Sequence, residues 1–161
     1  MKRFGQGLTI ELLLDRRDAI PLLANWFVRE WPEHYGRWGI KPAVDDLTAC
    51  CHRDRLPLGL VAIQDGEICG TVALKPESVP AHKHLGPWVA ALLVSPDHRG
   101  QGIGAGLLEA AVEQARELGV RKLYSATRHN ERLFTRAGWT VLDKGLYGGQ
   151  PLTLLQRDWQ L

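Results

Sequence analysis

The sequence predicts a mixed α/β (α+β) domain of about seven strands and about four helices, with residues 1–161 forming one unit. Three observations carry this. Asp65-Gly66 joins two apolar runs, "LPLGLVAIQ" and "EICGTVALK", and such a dipeptide is a strong hairpin signal. "WVAALLV" (Trp88–Val94) is unbroken and apolar, which suits a central strand covered on both faces. Beyond it, apolar residues at Ile103, Leu107, Ala111, Ala115 and Leu118 recur at helical spacing.

The elements follow in order. "LTIELLL" (Leu8–Leu14) reads as a strand. "DAIPLLANWFVREW" reads as a helix, with Asp18 as its cap and Pro21 in the first turn, where proline is tolerated. "PEHYGRWGIKP" reads as a loop, and "AVDDLTACCHR" as a second, short helix. The hairpin comes next, then the polar loop "PESVPAHKHLGP" and the strand Trp88–Val94. Helix Ile103–Leu118 ends at Gly119, a suitable C-terminal cap. "VRKLYSAT" is a strand parallel to Trp88–Val94 if the helix is a crossover. A short helix over Asn130–Ala137 and two closing strands, "WTVLD" and "PLTLLQRDW", complete the chain. Neither an internal repeat nor a linker interrupts it.

Bulk properties narrow the function. A net charge of +2 with a pI near 8.5 is too mild to argue for nucleic acid. No window approaches the 18 or more apolar residues of a membrane span. The start, "MKRFGQGLTIELLL", is basic, but Thr9 and Glu11 interrupt its apolar stretch, so it is unlike a secretory leader. Three cysteines without a C-x-x-C spacing suit reduced thiols rather than a disulfide framework or a zinc site. A cytoplasmic protein with no bound metal, no nucleic-acid partner and no membrane partner is the expectation.

The informative stretch is "SPDHRGQGIGAGLLEAA", Ser95–Ala111, with glycines at 100, 102, 104 and 106 where a helix begins. Glycine inside a helix costs about 1 kcal/mol relative to alanine. In exchange, the first N–H groups of the helix stay bare, point outward and carry the positive end of its dipole, which makes a seat for phosphate. A nucleotide-triphosphate loop would require Lys-Ser or Lys-Thr after the glycines, and neither is present. Gly100, Gly102 and Ala105 formally fit a dinucleotide fingerprint, but the next strand ends "SATRH" without the required acid.

The third option is more specific. "LLVSPDHRGQGIGAGLL" resembles the acetyl-CoA-binding motif of the GNAT acyltransferase superfamily, [RQ]-x-x-G-x-[GA], filled here by Arg99, Gly102 and Gly104. "LYSATRHNERLFTRAGWTVLDKGLYGGQPLTLLQRDW" is similar to the same family's C-terminal pattern, and the upstream element order agrees. The resemblance implies a central, mostly antiparallel twisted sheet in the acyl-CoA N-acyltransferase fold. It also implies acetyl-CoA as cofactor, and an N-acetyltransferase acting on a small-molecule or peptide amine by direct attack. A homodimer is possible on the same ground.

The resemblance assigns residues as well. The backbone N–H of Leu92 would serve as oxyanion donor, and Val94 would pair with the pantetheine arm. The backbone N–H groups of Gln101, Gly102, Ile103, Gly104 and Ala105 would cradle the pyrophosphate with Arg99 nearby, and Gly100 and Asn130 would also contact the cofactor. One position departs from the pattern: where the family often has a tyrosine as general acid, this chain has Phe134, left as a packing residue on the core or the cofactor side. Tyr147 is the candidate replacement; Tyr35 and Tyr124 are the other tyrosines. Glu30, Glu33, His34, Tyr35, His84 and His129 are candidate bases, with His34 and Glu30 foremost. Glu30, Glu33, Asp45, Asp46 and Glu77 could face a cationic amine, and Trp31 and Trp38 could line its pocket. A module that binds acyl-CoA without catalysis is the alternative, motivated by Phe134.

Overall fold

Asp65 and Gly66 both take positive φ, +50° and +85°, and Gln64 pairs directly with Glu67 across them. This is the backbone a two-residue hairpin turn demands. The computed structural model in which it is seen describes residues 2–3 and 7–160. Met1, residues 4–6 of the basic start and Leu161 lie outside the described residues.

The hairpin is the middle of an eight-stranded sheet. Its strands are β1 (Lys2–Arg3), β2 (Leu8–Leu12), β3 (Leu58–Gln64), β4 (Glu67–Lys75), β5 (Trp88–Val94), β6 (Lys122–Thr127), β7 (Thr140–Tyr147) and β8 (Gln150–Asp158). They lie in the order β1-β2-β3-β4-β5-β6-β8-β7. Every described pair is antiparallel except β5 with β6, where a helix makes the crossover. Five α-helices are described: α1 (Ile20–Glu30), α2 (Pro32–Tyr35), α3 (Lys41–Ala49), α4 (Ile103–Glu117) and α5 (Glu131–Arg136). The mixed, mostly antiparallel architecture is the one expected, with the two-residue β1 and the single turn of α2 as additions.

Both faces of the sheet are covered, which is why β3 and β4 read as apolar throughout. On β3, Leu58, Leu60 and Ala62 join one core, while Val61 and Ile63 join the other. The period-2 alternation of a strand sorts them. Helix α4 lays Ile103, Leu107, Leu108, Ala111, Val112 and Ala115, all essentially buried, on the first face. Each of its buried leucines is worth about 1.5–3 kcal/mol of apolar burial. Helix α1 buries Ile20, Leu23, Ala24 and Phe27 on the second face, beside Ala43 and Leu47 of α3. A satellite cluster of Val79, Trp88 and Leu154 extends that face past β5, with Tyr147 packed on it.

Two local expectations need correction. The strand from Leu8 stops at Leu12, and a 3₁₀ segment, Leu13–Ala19, follows. Asp18 does not cap α1: its carboxylate accepts two bonds from Arg16, at 3.0 and 3.1 Å, and the cap position is Ala19 without a side-chain bond. The stretch "PEHYGRWGIKP" is also not all loop. Pro32 starts the turn of α2, and burial of Tyr35 against Phe27, ring centroids 5.7 Å apart, holds it.

Candidate functional site

The site is a place where two parallel strands part. β5 and β6 are in register only at Trp88–Tyr124 and Val89–Ser125, and the Ser125 hydroxyl donates to the Val89 carbonyl at 2.8 Å. Beyond that point β5 continues to Val94 and β6 to Thr127 without pairing.

A bulge on β5 marks the opening. Thr71 pairs with Leu93 and Ala73 with Ala90, so Val72 alone faces Ala91 and Leu92. Ala91 sits at φ +55°, a left-handed conformation that costs a non-glycine residue about 1–2 kcal/mol. Past the bulge, the Ser95 N–H donates to the Cys69 carbonyl on the β4 side. Alternation therefore turns the N–H and carbonyl of Val94 toward the gap, and those of Leu92 with them. The Arg99 Nε–H, donating to the Val94 carbonyl at 3.1 Å, reaches it from that open side.

The glycine stretch lies just past this edge. Gly100 and Gly102 have φ of +77° and +82°, and a Cβ on either would meet nothing within 4 Å. Gly102 is the N-cap of the 15-residue α4 and offers no side-chain cap. The Gly106 N–H makes the first intrahelical bond, to the Gly102 carbonyl at 3.0 Å. The N–H groups of Ile103, Gly104 and Ala105 are thus left for an external acceptor, with Gln101 and Gly102 exposed just ahead of them. Gly104 differs: its Cβ would stand 3.2 Å from Leu133, so it also serves the packing of α5 on α4.

Opposite, at the end of β6, the Asn130 N–H donates to the Thr127 hydroxyl at 2.9 Å; Asn130 is exposed at the N-cap of α5. Leu92, Val94, Arg99, the 100–105 loop and Asn130 thus gather around the gap. Two acids reach its rims from the α1–α2 segment. Glu30 lies 3.6 Å from Arg99, after β5, and Glu33 lies 3.7 Å from Arg128, after β6.

The remaining candidates disperse. His34 is exposed and edge-on to Tyr35, whose buried hydroxyl donates to Asp46 at 2.8 Å. Desolvation, then Asp46, pushes that hydroxyl well above the ordinary tyrosine range. Tyr147 shares a 2.8 Å hydrogen bond with Nε2 of His82, a partner 65 positions away that carries no local sequence signal. His84 stacks obliquely on His82, and His129 is exposed. Phe134 is 2% exposed and edge-on to Trp139 at 5.2 Å, so the structure gives it a core-packing position. Trp31 is half-buried and Trp38 is 74% exposed. Asp45 pairs with Lys41 at 2.7 Å, whereas Asp46 and Glu77 line a shared depression.

An open-edged gap beside an uncapped glycine-rich helix start leaves backbone donors and the positive end of a helix dipole without partners in the fold. Residues 20–139 match the family described as Acetyltransferase (GNAT) family. No curated protein matches the chain. Among solved structures, an aminoglycoside 6'-N-acetyltransferase complexed with coenzyme A aligns with a TM-score of 0.75 at 14% identity, over 93% of this chain and 96% of that one. The yncA protein of Salmonella typhimurium, solved with its cofactor acetyl-CoA, aligns at 0.71 and 20%, over 95% and 94%. An acetyltransferase of the GNAT family from Streptococcus pneumoniae aligns at 0.70 and 18%, over 94% and 98%. The chain belongs to the acetyltransferase (GNAT) family.

Proposed function

We propose that the chain is an acetyl-CoA-dependent N-acetyltransferase that moves an acetyl group onto a primary amine by direct attack. The observation that carries this is the conjunction of the parted β5–β6 edge with the uncapped start of α4. The residues fit the cofactor. Left-handed glycines with open space above them leave the N–H groups of Gln101, Gly102, Ile103, Gly104 and Ala105 for pyrophosphate, and Arg99 adds charge beside them. The Val94 N–H, facing the gap while Arg99 occupies the carbonyl, suits an added strand such as the pantetheine arm, and Asn130 stands on the opposite rim.

When bound, acetyl-CoA supplies an activated thioester. The Leu92 N–H, held by the bulge, donates to the carbonyl oxygen where negative charge develops. The fixed walls of the gap hold the reacting groups together, and that orientation is the larger part of the task. Tyr147, bonded to His82 and packed against the cluster that holds Trp88 of β5, would protonate the departing thiolate in place of the tyrosine that Phe134 replaces. His34, exposed beside Tyr35 on α2, is the group to take the amine's proton, with Glu30, half-exposed beside Arg99, as the other foremost candidate.

The test is a thermal-shift titration. Acetyl-CoA raises the melting temperature with saturation in the micromolar range, and NADH does not; no shift at millimolar acetyl-CoA would remove the proposal's foundation. A second reading, a sensor that binds acyl-CoA without turnover, draws on Phe134 at the family's tyrosine position. Turnover with any amine separates the two.

A further inference from the structure

Asp46 of α3 and Glu77, beyond β4, are 31 positions apart in the chain yet line one surface depression of about 230 Å³, together with Ala49, Cys50 and Lys75. A second chamber, of about 10 Å³, shares Asp46, Cys50 and Lys75 with it. That volume holds roughly one water-sized group. Leu13, Phe27, Leu47, Val72, Ala73 and Ala91 line most of the rest of the chamber, which makes its closed end apolar. Because they share these three residues, the two parts are taken as one funnel, with Glu77 at the open end and Ala91 of the β5 bulge at the closed end. Ala91 immediately precedes Leu92, the proposed oxyanion donor.

The charges of the funnel are not spent on each other. Oδ2 of Asp46 accepts the Tyr35 hydroxyl at 2.8 Å, which fixes the carboxylate and leaves Oδ1 without a donor among the described residues. Neither Lys75 nor Glu77 has an ion-pair partner within 4.0 Å among the described residues. Burial holds the Tyr35 hydroxyl and the Cys50 thiol in their neutral forms. Two acidic side chains and one basic one ring the passage, an imbalance that one cation would offset.

We propose that this funnel seats the acceptor and selects a linear primary amine, the ammonium nitrogen resting on Asp46 and the chain lying past Glu77. The assignment of the funnel as an acceptor seat rests on the acetyltransferase reading. The narrowing beside Asp46 takes an ammonium group at the end of an unbranched chain and keeps it out of the apolar chamber beyond. An amine carried directly on a ring or a branched carbon stops at the mouth. Asp46 is thus a specificity-determining residue and Tyr35 its positioning residue.

The test is calorimetric titration of the full chain, with coenzyme A present, using n-pentylamine and cyclohexylamine, followed by acetyl-transfer kinetics with the same amines. The wild type binds n-pentylamine at least tenfold more tightly than cyclohexylamine. Asp46→Asn weakens n-pentylamine at least tenfold and raises its KM while leaving the acetyl-CoA thermal shift unchanged. Equal binding of the two amines overturns the proposal, as does an Asp46→Asn variant that binds n-pentylamine as the wild type does. If Asp46→Asn fails to fold, the exposed Glu77→Gln decides: a loss of twofold or more supports the funnel, and unchanged affinity overturns it. The two readings fail separately. Binding through Asp46 without turnover sinks the transferase, and acetylation indifferent to Asp46 sinks the funnel.

Discussion

Arg99, in the segment after β5, lies 3.6 Å from Glu30, the last residue of α1, while its Nε holds the Val94 carbonyl at the edge of the gap. Both partners of the ion pair are about half exposed, and a pair of that kind is worth about 0–1 kcal/mol. A pyrophosphate at the start of α4 offers Arg99 more negative charge than Glu30 does. Arg99→Ala is therefore expected to weaken acetyl-CoA by about tenfold at low salt and less at high salt. Glu30→Gln is expected to tighten acetyl-CoA by about twofold and to leave kcat within threefold. Calorimetric titration and steady-state kinetics at two salt concentrations check both; a kcat loss of about a hundredfold would make Glu30 a proton-transfer group instead.

Gly102 carries the turn into α4 at φ +82°. An alanine there has room but not the conformation, at a cost of about 1–2 kcal/mol. Gly102→Ala should melt about 2–8 °C lower and bind acetyl-CoA more weakly, because the loop relaxes away from its phosphate-facing form. Scanning calorimetry with and without acetyl-CoA reads both effects. An unchanged melting temperature would mean that the turn tolerates another backbone.

Restoring the family's tyrosine should not help this chain. The Phe134 ring is 2% exposed and packed edge-on to Trp139, so an added hydroxyl enters a core. Phe134→Tyr is expected to lower stability by about 1–3 kcal/mol, the cost of a buried polar group without a partner, and to leave kcat no higher. Tyr147→Phe, by contrast, should lower kcat by about a hundredfold with acetyl-CoA binding intact. Denaturant titration and kcat measurements on the two variants check this; a gain in kcat from Phe134→Tyr would return the acid to its usual place.

Three buried thiols and one buried phenol set the alkaline limit. Burial pushes up the thiols of Cys50, Cys51 and Cys69, that of Cys69 to about 11, and the Tyr35 hydroxyl as well. Between about pH 9 and 11 the unfolded chain releases the Cys69 proton while the folded chain keeps it. The unfolded state then binds fewer protons, so stability falls as pH rises, by up to about 1.4 kcal/mol per pH unit for each such group. Below pH 9 both states hold these protons and the contribution is constant. Denaturation midpoints should agree between pH 7 and 8 and drop by pH 10; a flat profile to pH 10.5 would contradict the burial.

What the sequence revealed follows from how far each feature reaches along the chain. The Asp65-Gly66 turn, the apolar β5 and the α4 stripe are local patterns, and each took the predicted form. The N-terminus of α1 was misread because Asp18 had a competitor, Arg16, whose claim depends on the 3₁₀ segment between them. α2 was misread because burial of Tyr35, not local propensity, holds that turn. The open left-handed turn at Gly100 and Gly102 was legible because the turn and the helix it starts are contiguous. The parting of β5 from β6 was not, since it is a relation between strands separated by α4. The Tyr147–His82 bond spans 65 positions, and the funnel joins α3 to β4, so neither leaves a local signal.

The central claim is acetyl transfer itself, and its direct test is thiol release from acetyl-CoA by the full chain across a panel of linear, ring-borne, amino-acid and peptide amines. The account predicts coenzyme A release that depends on both enzyme and amine, matched mole for mole by acetylated product and fastest with linear primary amines. Saturable binding of acetyl-CoA without amine-dependent thiol release on any member of the panel would contradict it.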